Sequence, residues 1–229
     1  GAIGYMIQKA LRNEFRKRGM ARKAVTVVTQ TVVDKDDPSF TNPTKPIGSF
    51  MSGQEATANR KEFGWQIFED AGRGFRRVVP SPLPKEILEL DVVKSLVESG
   101  YIVIAAGGGG VPVVWNDQGE LEGVEAVIDK DLASALLANK LGADMLIIST
   151  AVDTVYLNFG QENQKPIRRA TLSEMKGYLR EGHFKPGSMK PKIEAIIQFL
   201  ERGGKKAIIT SPDNLLKSVM AECGTTIVP

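Results

Sequence analysis

Apolar positions near the start of the chain recur at intervals of three and four residues, the spacing of one face of a helix. They are Ile3, Ile7, Ala10, Leu11 and Phe15. Gly19 follows at the position where such a helix would end. Residues 25–33 are β-branched at nearly every position, so they predict a strand that is covered on both faces.

The next part of the chain has a different composition. Residues 37–49 are polar and rich in proline, and we expect them to project from the fold or to form a lid. Residues 55–63 predict a helix. The segments 65–69 and 76–79 flank a glycine-containing stretch, and this pattern predicts a hairpin.

From residue 85 onward, apolar segments of strand length alternate with segments of helical periodicity. The predicted strands are residues 101–106, 143–149 and 205–210, with a further extended segment at 121–127. The predicted helices are residues 87–98, 131–141, 172–181 and 191–202. This alternation predicts an α/β fold in which helices cover both faces of a mainly parallel sheet.

Four consecutive glycines, residues 107–110, come directly after the predicted strand 101–106. Backbone without Cβ atoms can adopt positive φ and turn several N–H groups toward an anion, most often a phosphate. A tight turn or a hinge has the same composition, so those alternatives stay open. Ligands gather at the carboxyl ends of parallel strands. The Asp-Lys-Asp triplet 129–131 and the turn 149–153 also fall at such ends, which favours a ligand there.

The composition is that of an ordinary globular protein, with 42% hydrophobic and 25% charged residues. A chain of 229 residues can form one large α/β domain or two small ones. The basic residues between Arg12 and Lys23 follow a helical pattern, and with a net charge of +3 we interpret them as a solvated face. Cys223 is the sole cysteine, which excludes an intrachain disulfide and favours a reducing, cytoplasmic location. We expect neither a membrane-spanning segment nor a signal peptide.

Six motifs occur in an order that resembles the carbamate kinases of the amino acid kinase family. They are residues 42–48, 69–74, 77–82, 107–110, 123–131 and 182–189. The resemblance covers the whole chain. It implies a three-layer αβα sandwich with a small projecting subdomain. It also implies reversible phosphoryl transfer between carbamoyl phosphate and ADP, giving ATP and carbamate, in arginine catabolism by the deiminase pathway. A cytoplasmic homodimer that uses Mg²⁺ with ADP or ATP is part of the same expectation.

The resemblance also implies roles for individual residues. Lys192 would be catalytic and would also bind nucleotide, and Asp131 would orient that lysine. Lys130 would contact nucleotide phosphates and take part in catalysis. Lys45 and the glycines at 107, 108 and 109 would bind carbamoyl phosphate. The remaining nucleotide-binding residues would be Thr150, Val152, Asp153, Tyr156, Gly187, Ser188 and Met189. We expect Mg²⁺ to arrive chelated by nucleotide phosphates rather than to occupy a dedicated protein site.

Simpler interpretations stand beside several of these roles. Pro191 suits a first helical position, so the dipole of that helix would point where Lys192 does and favour a phosphoryl group. Lys192 could instead be a solvated lysine in a first turn. Lys45 could belong to a rigid, exposed proline turn, and Tyr156 could be a core aromatic residue. His183 is interpreted as a packing or hydrogen-bonding residue, because the transfer does not demand a general base.

The chain departs from the resembled family in one respect. The glycine-rich loop that opens the family's sequences, and a later His-Gly-Asn-Gly-Pro-like loop, do not occur here. We therefore expect an amino acid kinase fold that is incomplete at the N-terminus. Its predicted parts are residues 1–36 of the carbamoyl-phosphate lobe, the projecting subdomain or lid 37–84, and the nucleotide-binding lobe 85–229. A kinase of the same family that acts on acetylglutamate or uridylate, or a nucleotide-binding fragment with impaired catalysis, remains the alternative.

Overall fold

The helix predicted at the start of the chain is present as α1, Ala2–Lys17, which buries Phe15 and carries two basic residues in its last turn. Cations are favourable there because carbonyl groups give a helix C-terminus partial negative charge. The structure is a computed structural model that describes residues 1–69, 72–185 and 187–229. It divides into two units, residues 1–130 and residues 131–229.

The described part of the first unit contains two more helices, α2 (Gly53–Phe63) and α3 (Leu90–Glu98), and a 3₁₀ turn at Pro38–Phe40. Its strands are β1 (Ala24–Thr26), β2 (Gln30–Val32), β3 (Lys45–Met51), β4 (Ile67–Glu69), β5 (Phe75–Val79), β6 (Glu86–Ile87), β7 (Ile102–Ile104), β8 (Val111–Trp115) and β9 (Leu121–Gly123). β1 pairs in parallel with β7, and the order β6-β2-β8-β9 has the parallel pair β2–β8 at its centre. β3, β5 and β4 form a separate antiparallel sheet.

The single strand predicted at 25–33 is wrong, because the structure has two short strands there. β1 takes its hydrogen bonds from β7, whereas β2 takes them from β8 and β6. Between the two strands, the carbonyl oxygen of Thr29 accepts from the N–H of Val111, and its hydroxyl accepts from the N–H of Ala106. Thr29 therefore bonds to both ends of the glycine loop, residues 107–110. At this point the chain passes from pairing with β7 to pairing with β8 and β6.

Other predicted boundaries also differ from those in the structure. The helix predicted from residue 87 begins at Leu90, because Ile87 is a buried strand residue opposite Thr31. The predicted hairpin is confirmed as β4–β5, although Asp70 and Ala71 lie outside the described residues. The second half of the proline-rich segment is strand β3, paired with β5. The helix predicted from Pro191 starts two residues earlier.

The second unit begins within α4 (Lys130–Leu141), which starts on the last residue of the first unit. Its further helices are α5 (Leu172–Arg180), α6 (Met189–Glu201) and α7 (Leu215–Val219), with a 3₁₀ turn at Pro212–Asn214. Its strands are β10 (Met145–Ser149), β11 (Val155–Leu157), β12 (Lys165–Ile167), β13 (Arg169–Thr171), β14 (Lys206–Thr210) and β15 (Thr225–Val228). The sheet order is β10-β14-β15-β13, with β10–β14 and β13–β15 parallel and β14–β15 antiparallel. β11 and β12 form a hairpin.

The core of the second unit explains why these segments fold as they do. Strand β14 is apolar and buried at Ala207, Ile208 and Ile209, so water is excluded from both of its faces. α6 lays Ile193, Ile196 and Phe199 into the same core, at helical spacing. The predicted α/β class is confirmed in both units. The predicted three-part division of the chain stays a prediction.

Candidate functional site

A cavity of about 330 Å³ lies in the second unit, beside the turn that follows β10. Seven of the residues predicted to bind nucleotide line it. They are Thr150, Val152, Tyr156, Gly187, Ser188, Met189 and Lys192. The other described residues that line it are Ala151, Thr154, Phe159, His183, Phe184 and Lys185. The structure therefore brings together two segments that are far apart in the sequence, 150–159 and 183–192.

Buried threonines hold the first of these segments. The N–H of Thr150 donates to the carbonyl oxygen of Thr210 at 2.8 Å, which continues the pairing of β10 with β14. The hydroxyl of Thr154 lies 3.1 Å from the carbonyl oxygen of Ile167, to which it donates, and 2.9 Å from the hydroxyl of Thr225. Because buried polar groups are costly to leave without partners, these bonds fix both ends of the turn 150–154.

The cavity has an aromatic side. The rings of Tyr156 and Phe159 are 6.0 Å apart between centroids and tilted by 52°. Phe184 is buried on the opposite segment. Flat aromatic rings beside small apolar residues can accept a planar ring by stacking. Asp153, a predicted nucleotide ligand, is not among the described residues that line the cavity, and its carboxylate accepts from the Tyr156 hydroxyl at 3.4 Å.

His183 forms part of the cavity wall and is held on three sides. Its Nδ1 lies 2.9 Å from Oδ1 of Asn158, and its Nε2 lies 3.1 Å from a carboxylate oxygen of Glu181. Its ring meets that of Tyr178 edge-on, with centroids 5.9 Å apart. The interpretation of His183 as a hydrogen-bonding residue fits this geometry. Its place beside the cavity was not predicted.

Lys192 and Asp131 form a buried ion pair in the second unit. Nζ of Lys192 donates to Oδ2 of Asp131 at 2.8 Å, and the two side chains are 12% and 8% exposed. Asp131 is the second residue of α4 and Lys192 the fourth residue of α6. Pro191 is the third residue of α6 rather than the first, because the helix begins at Met189. Lys192 nevertheless remains in the first turn, where the helix N-terminus carries partial positive charge.

A second ion pair lies in the first unit. Nζ of Lys45, the first residue of β3, is 2.5 Å from Oδ2 of Asp129. The lysine side chain is 27% exposed and the aspartate side chain 8%. The lysine predicted to bind an anionic substrate is therefore held by a carboxylate in this structure. Lys130, which separates Asp129 from Asp131 in the sequence, is exposed.

The glycine loop, also in the first unit, has two kinds of position. Gly109 has φ +131°, and a Cβ there would lie 2.5 Å from the carbonyl oxygen of Ile128. At Gly110 a Cβ would overlap the hydroxyl of Thr31. A Cβ at Gly107 or Gly108 would meet nothing within 4 Å. Close packing thus requires glycine at 109 and 110, whereas 107 and 108 face open space.

The lining residues that sequence reasoning missed had weak signals. Phe159 stands three residues after Tyr156, a spacing that core residues also show. Phe184 and Lys185 lie inside the motif 182–189 but were not singled out, and Pro186 of that motif lies outside the described residues. Within residues 1–69, 72–185 and 187–229, no three His, Cys, Asp or Glu side chains are grouped so that they could hold a metal ion. None of the described helices is long and apolar enough to cross a membrane.

Comparison with known proteins agrees with the sequence resemblance. The model of the amino acid kinase family matches residues 11–211. A carbamate kinase of Pyrococcus horikoshii is 52% identical over 229 residues, which are 100% of this chain and 73% of that protein. A carbamate kinase-like protein of Escherichia coli is 51% identical over 229 residues, 100% of this chain and 72% of its own.

A solved structure matches over the same length. The carbamate kinase of Giardia lamblia bound to AMP-PNP superposes with a TM-score of 0.88 at 43% identity, covering 100% of this chain and 72% of that one. The fold expected from the sequence is confirmed by this match. The chain therefore belongs to the amino acid kinase family, and its whole length is similar to carbamate kinases of that family.

Proposed function

We propose that this chain is a carbamate kinase, which transfers a phosphoryl group between carbamoyl phosphate and MgADP. The observation that carries the proposal is the buried Lys192–Asp131 pair, whose lysine lines the cavity of the second unit. Relatives that are 52% identical over the full chain carry the name carbamate kinase, which supports the same substrate.

The cavity of the second unit is the proposed nucleotide site. The rings of Tyr156 and Phe159 would pack against the base, and the turn at Thr150 and Val152 would border it. Gly187, Ser188 and Met189 precede or begin α6, so their N–H groups would face the nucleotide phosphates. The relative from Giardia lamblia binds AMP-PNP, a nucleotide analogue, which supports this assignment.

In the proposed reaction, an oxygen of the ADP β-phosphate attacks the phosphorus of carbamoyl phosphate. The bond from phosphorus to the carbamoyl oxygen breaks, and carbamate leaves with the electron pair. No proton has to move in this step. The protein therefore has to position the two substrates and supply positive charge. The Lys192 ammonium would neutralise negative charge on oxygens of the transferred group. Asp131 would hold that ammonium in place through the 2.8 Å hydrogen bond.

The first unit would supply the groups for carbamoyl phosphate. Lys45 is a cation with part of its side chain exposed, and the backbone at Gly107 and Gly108 leaves space that a Cβ would occupy. Gly109, at the closely packed end of that loop, would also bind carbamoyl phosphate. Exposed Lys130 would neutralise nucleotide phosphates.

Mg²⁺ is part of the proposal as a companion of the nucleotide. Mg²⁺ retains several waters and binds nucleotide phosphates readily, so it fits a site whose described residues form no carboxylate cage. Bound there, it would neutralise phosphate charge. Homodimeric assembly, a cytoplasmic location and a place in arginine catabolism remain proposals that rest on the family resemblance.

Mixing the chain with fresh carbamoyl phosphate and MgADP and measuring ATP with luciferase tests the function. We expect ATP to form in proportion to enzyme, and none from acetyl phosphate at the same concentration. Parallel assays with ATP plus N-acetylglutamate, or ATP plus uridylate, address the other kinases of the family. Turnover with either acceptor, and no ATP from carbamoyl phosphate, would replace this proposal with that alternative.

A further inference from the structure

We propose that Asp129 is a positioning residue that holds the Lys45 ammonium in the place where the phosphoryl donor binds. This inference rests on the function proposed above and assigns a role to a residue that sequence reasoning left without one. All the contacts that support it lie within the first unit.

The pair has unequal burial. The Asp129 side chain is 8% exposed, while that of Lys45 is 27% exposed. A buried carboxylate strongly favours a cation beside it, so Asp129 restrains the end of an otherwise flexible lysine. An ammonium has three N–H donors. One of them can stay on Asp129 while the others reach oxygens of an anion.

The backbone that carries Asp129 is fixed at two places. The N–H of Val127 donates to the carbonyl oxygen of Pro80 at 2.9 Å, and Pro80 directly follows β5. The last residue of β5, Val79, is the register partner of Lys45 in β3. Asp129 is thus tied to the sheet from which Lys45 projects.

The second tie is to the glycine loop. The carbonyl oxygen of Ile128 lies so close to Gly109 that a Cβ there would be 2.5 Å away. Ile128 is itself buried. Residues 127–129 therefore form a strap. Val127 is bonded to the end of β5, Ile128 packs against the glycine loop, and Asp129 is bonded to Lys45. Through this strap, the position of the lysine ammonium depends on the position of the glycine loop.

The test is a double-mutant cycle on ligand affinity. The probe is phosphonoacetamide, the stable methylene analogue of carbamoyl phosphate, and calorimetry gives its Kd for the wild type, Asp129→Asn, Lys45→Ala and the double variant. We expect each single change to weaken binding about tenfold or more, as for other close charge pairs. We expect the double variant to bind no more weakly than Lys45→Ala, because the proposed effect of Asp129 on ligand binding runs through that lysine.

A merely structural role would give a different pattern. The inference would be overturned if the fold-changes in Kd of the two single variants multiply in the double variant. Unchanged binding by Asp129→Asn, or no binding by the wild type, would overturn it as well. If Asp129→Asn does not fold, Asp129→Glu keeps the charge and moves the carboxylate by one methylene, and the same cycle with Lys45→Ala applies.

A matched control is available in the same unit. Lys35 and Asp117 form an exposed pair at 3.5 Å, with side chains 61% and 96% exposed, so Asp117→Asn should leave the affinity unchanged. The outcomes separate this inference from the proposed function. Coupled affinities without ATP formation would contradict only the reaction. ATP formation with independent effects of the two variants would contradict only the role of Asp129.

Discussion

The Lys192 ammonium donates a hydrogen bond to the Asp131 carboxylate at 2.8 Å, and water has little access to either side chain. The two residues come from the first turns of α4 and α6, and 61 positions separate them in the sequence. A lysine on a cavity wall with a buried acid behind it is oriented before any ligand arrives. This preorganisation is what stabilisation of a charged transition state requires.

Replacing Lys192 tests its catalytic role. We expect Lys192→Ala to lower kcat by about 100- to 1,000-fold, the usual loss for one electrostatic contact to a transition state. We also expect the free energy of unfolding to fall by about 3 kcal/mol, because the Asp131 carboxylate would stay buried without this cation. The luciferase assay and urea titration measure the two effects.

Lys190→Ala is the matched control for that change. Lys190 is two residues away on the same helix and makes an exposed pair with Glu194 at 3.8 Å. Its replacement should change the free energy of unfolding by less than about 0.5 kcal/mol and leave kcat near that of the wild type. Wild-type turnover in Lys192→Ala would remove Lys192 from the mechanism.

The aromatic side of the cavity gives a prediction about nucleotide affinity. Tyr156→Ala should weaken binding of MgADP about tenfold, because a stacked ring contributes on the order of 1–3 kcal/mol. Tyr156→Phe keeps the ring and loses only the 3.4 Å hydrogen bond to Asp153, so it should change the Kd by less than about twofold. Calorimetry with MgADP checks both. Equal Kd values for Tyr156→Ala and the wild type would show that the base does not pack on this ring.

The glycine loop allows a comparison of neighbouring residues. Gly109→Ala should lower the free energy of unfolding by about 1–3 kcal/mol, because its φ of +131° is unfavourable for alanine and the added Cβ would press on the Ile128 carbonyl. Gly108→Ala meets open space and should leave the melting temperature unchanged. If the loop cradles carbamoyl phosphate, Gly108→Ala should still raise the KM for that substrate. Scanning calorimetry and initial rates distinguish packing from binding, and an unchanged KM would show that Gly108 does not approach the ligand.

The capping box at the start of α5 predicts a pH dependence of stability. Hydrogen bonds from the backbone N–H and the hydroxyl of Thr171 lower the pKa of Glu174 in the folded protein. A carboxyl whose pKa is lowered by folding adds stability above its unfolded pKa, about 4.3, and loses that contribution as the pH falls through the folded value.

Glu174→Ala should therefore lower the melting temperature at pH 7, and the difference from the wild type should shrink as the pH falls below about 4. Glu162→Ala, at an exposed loop position, is the control and should have little effect at either pH. Melting curves over this pH range measure the effect. A difference that stayed constant down to pH 3 would show that the carboxylate charge is not the cause.

Much of the local structure follows from local residue patterns. The apolar spacing of α1, the β4–β5 hairpin and the alternation of strands and helices after residue 85 were all predicted, because neighbouring residues decide these features. The start of α2 was missed by two residues even though the sequence carried a signal. Ser52 and Glu55 have the spacing of a capping box, and the structure shows both of its hydrogen bonds.

The sequence by itself determined the α/β class, the glycine loop and the family, because glycine content, periodicity and motif order can be read directly from the order of the amino acids. The family resemblance led us to expect Asp131 beside Lys192, whereas only the tertiary structure revealed that Asp129 meets Lys45. Asp129 and Asp131 are two residues apart, yet one pairs with Lys45 across 84 positions and the other with Lys192 across 61. The split of residues 25–33 into β1 and β2 has the same origin. Local patterns do not specify such partners, because strands and charged side chains bind whichever distant segment the fold places beside them.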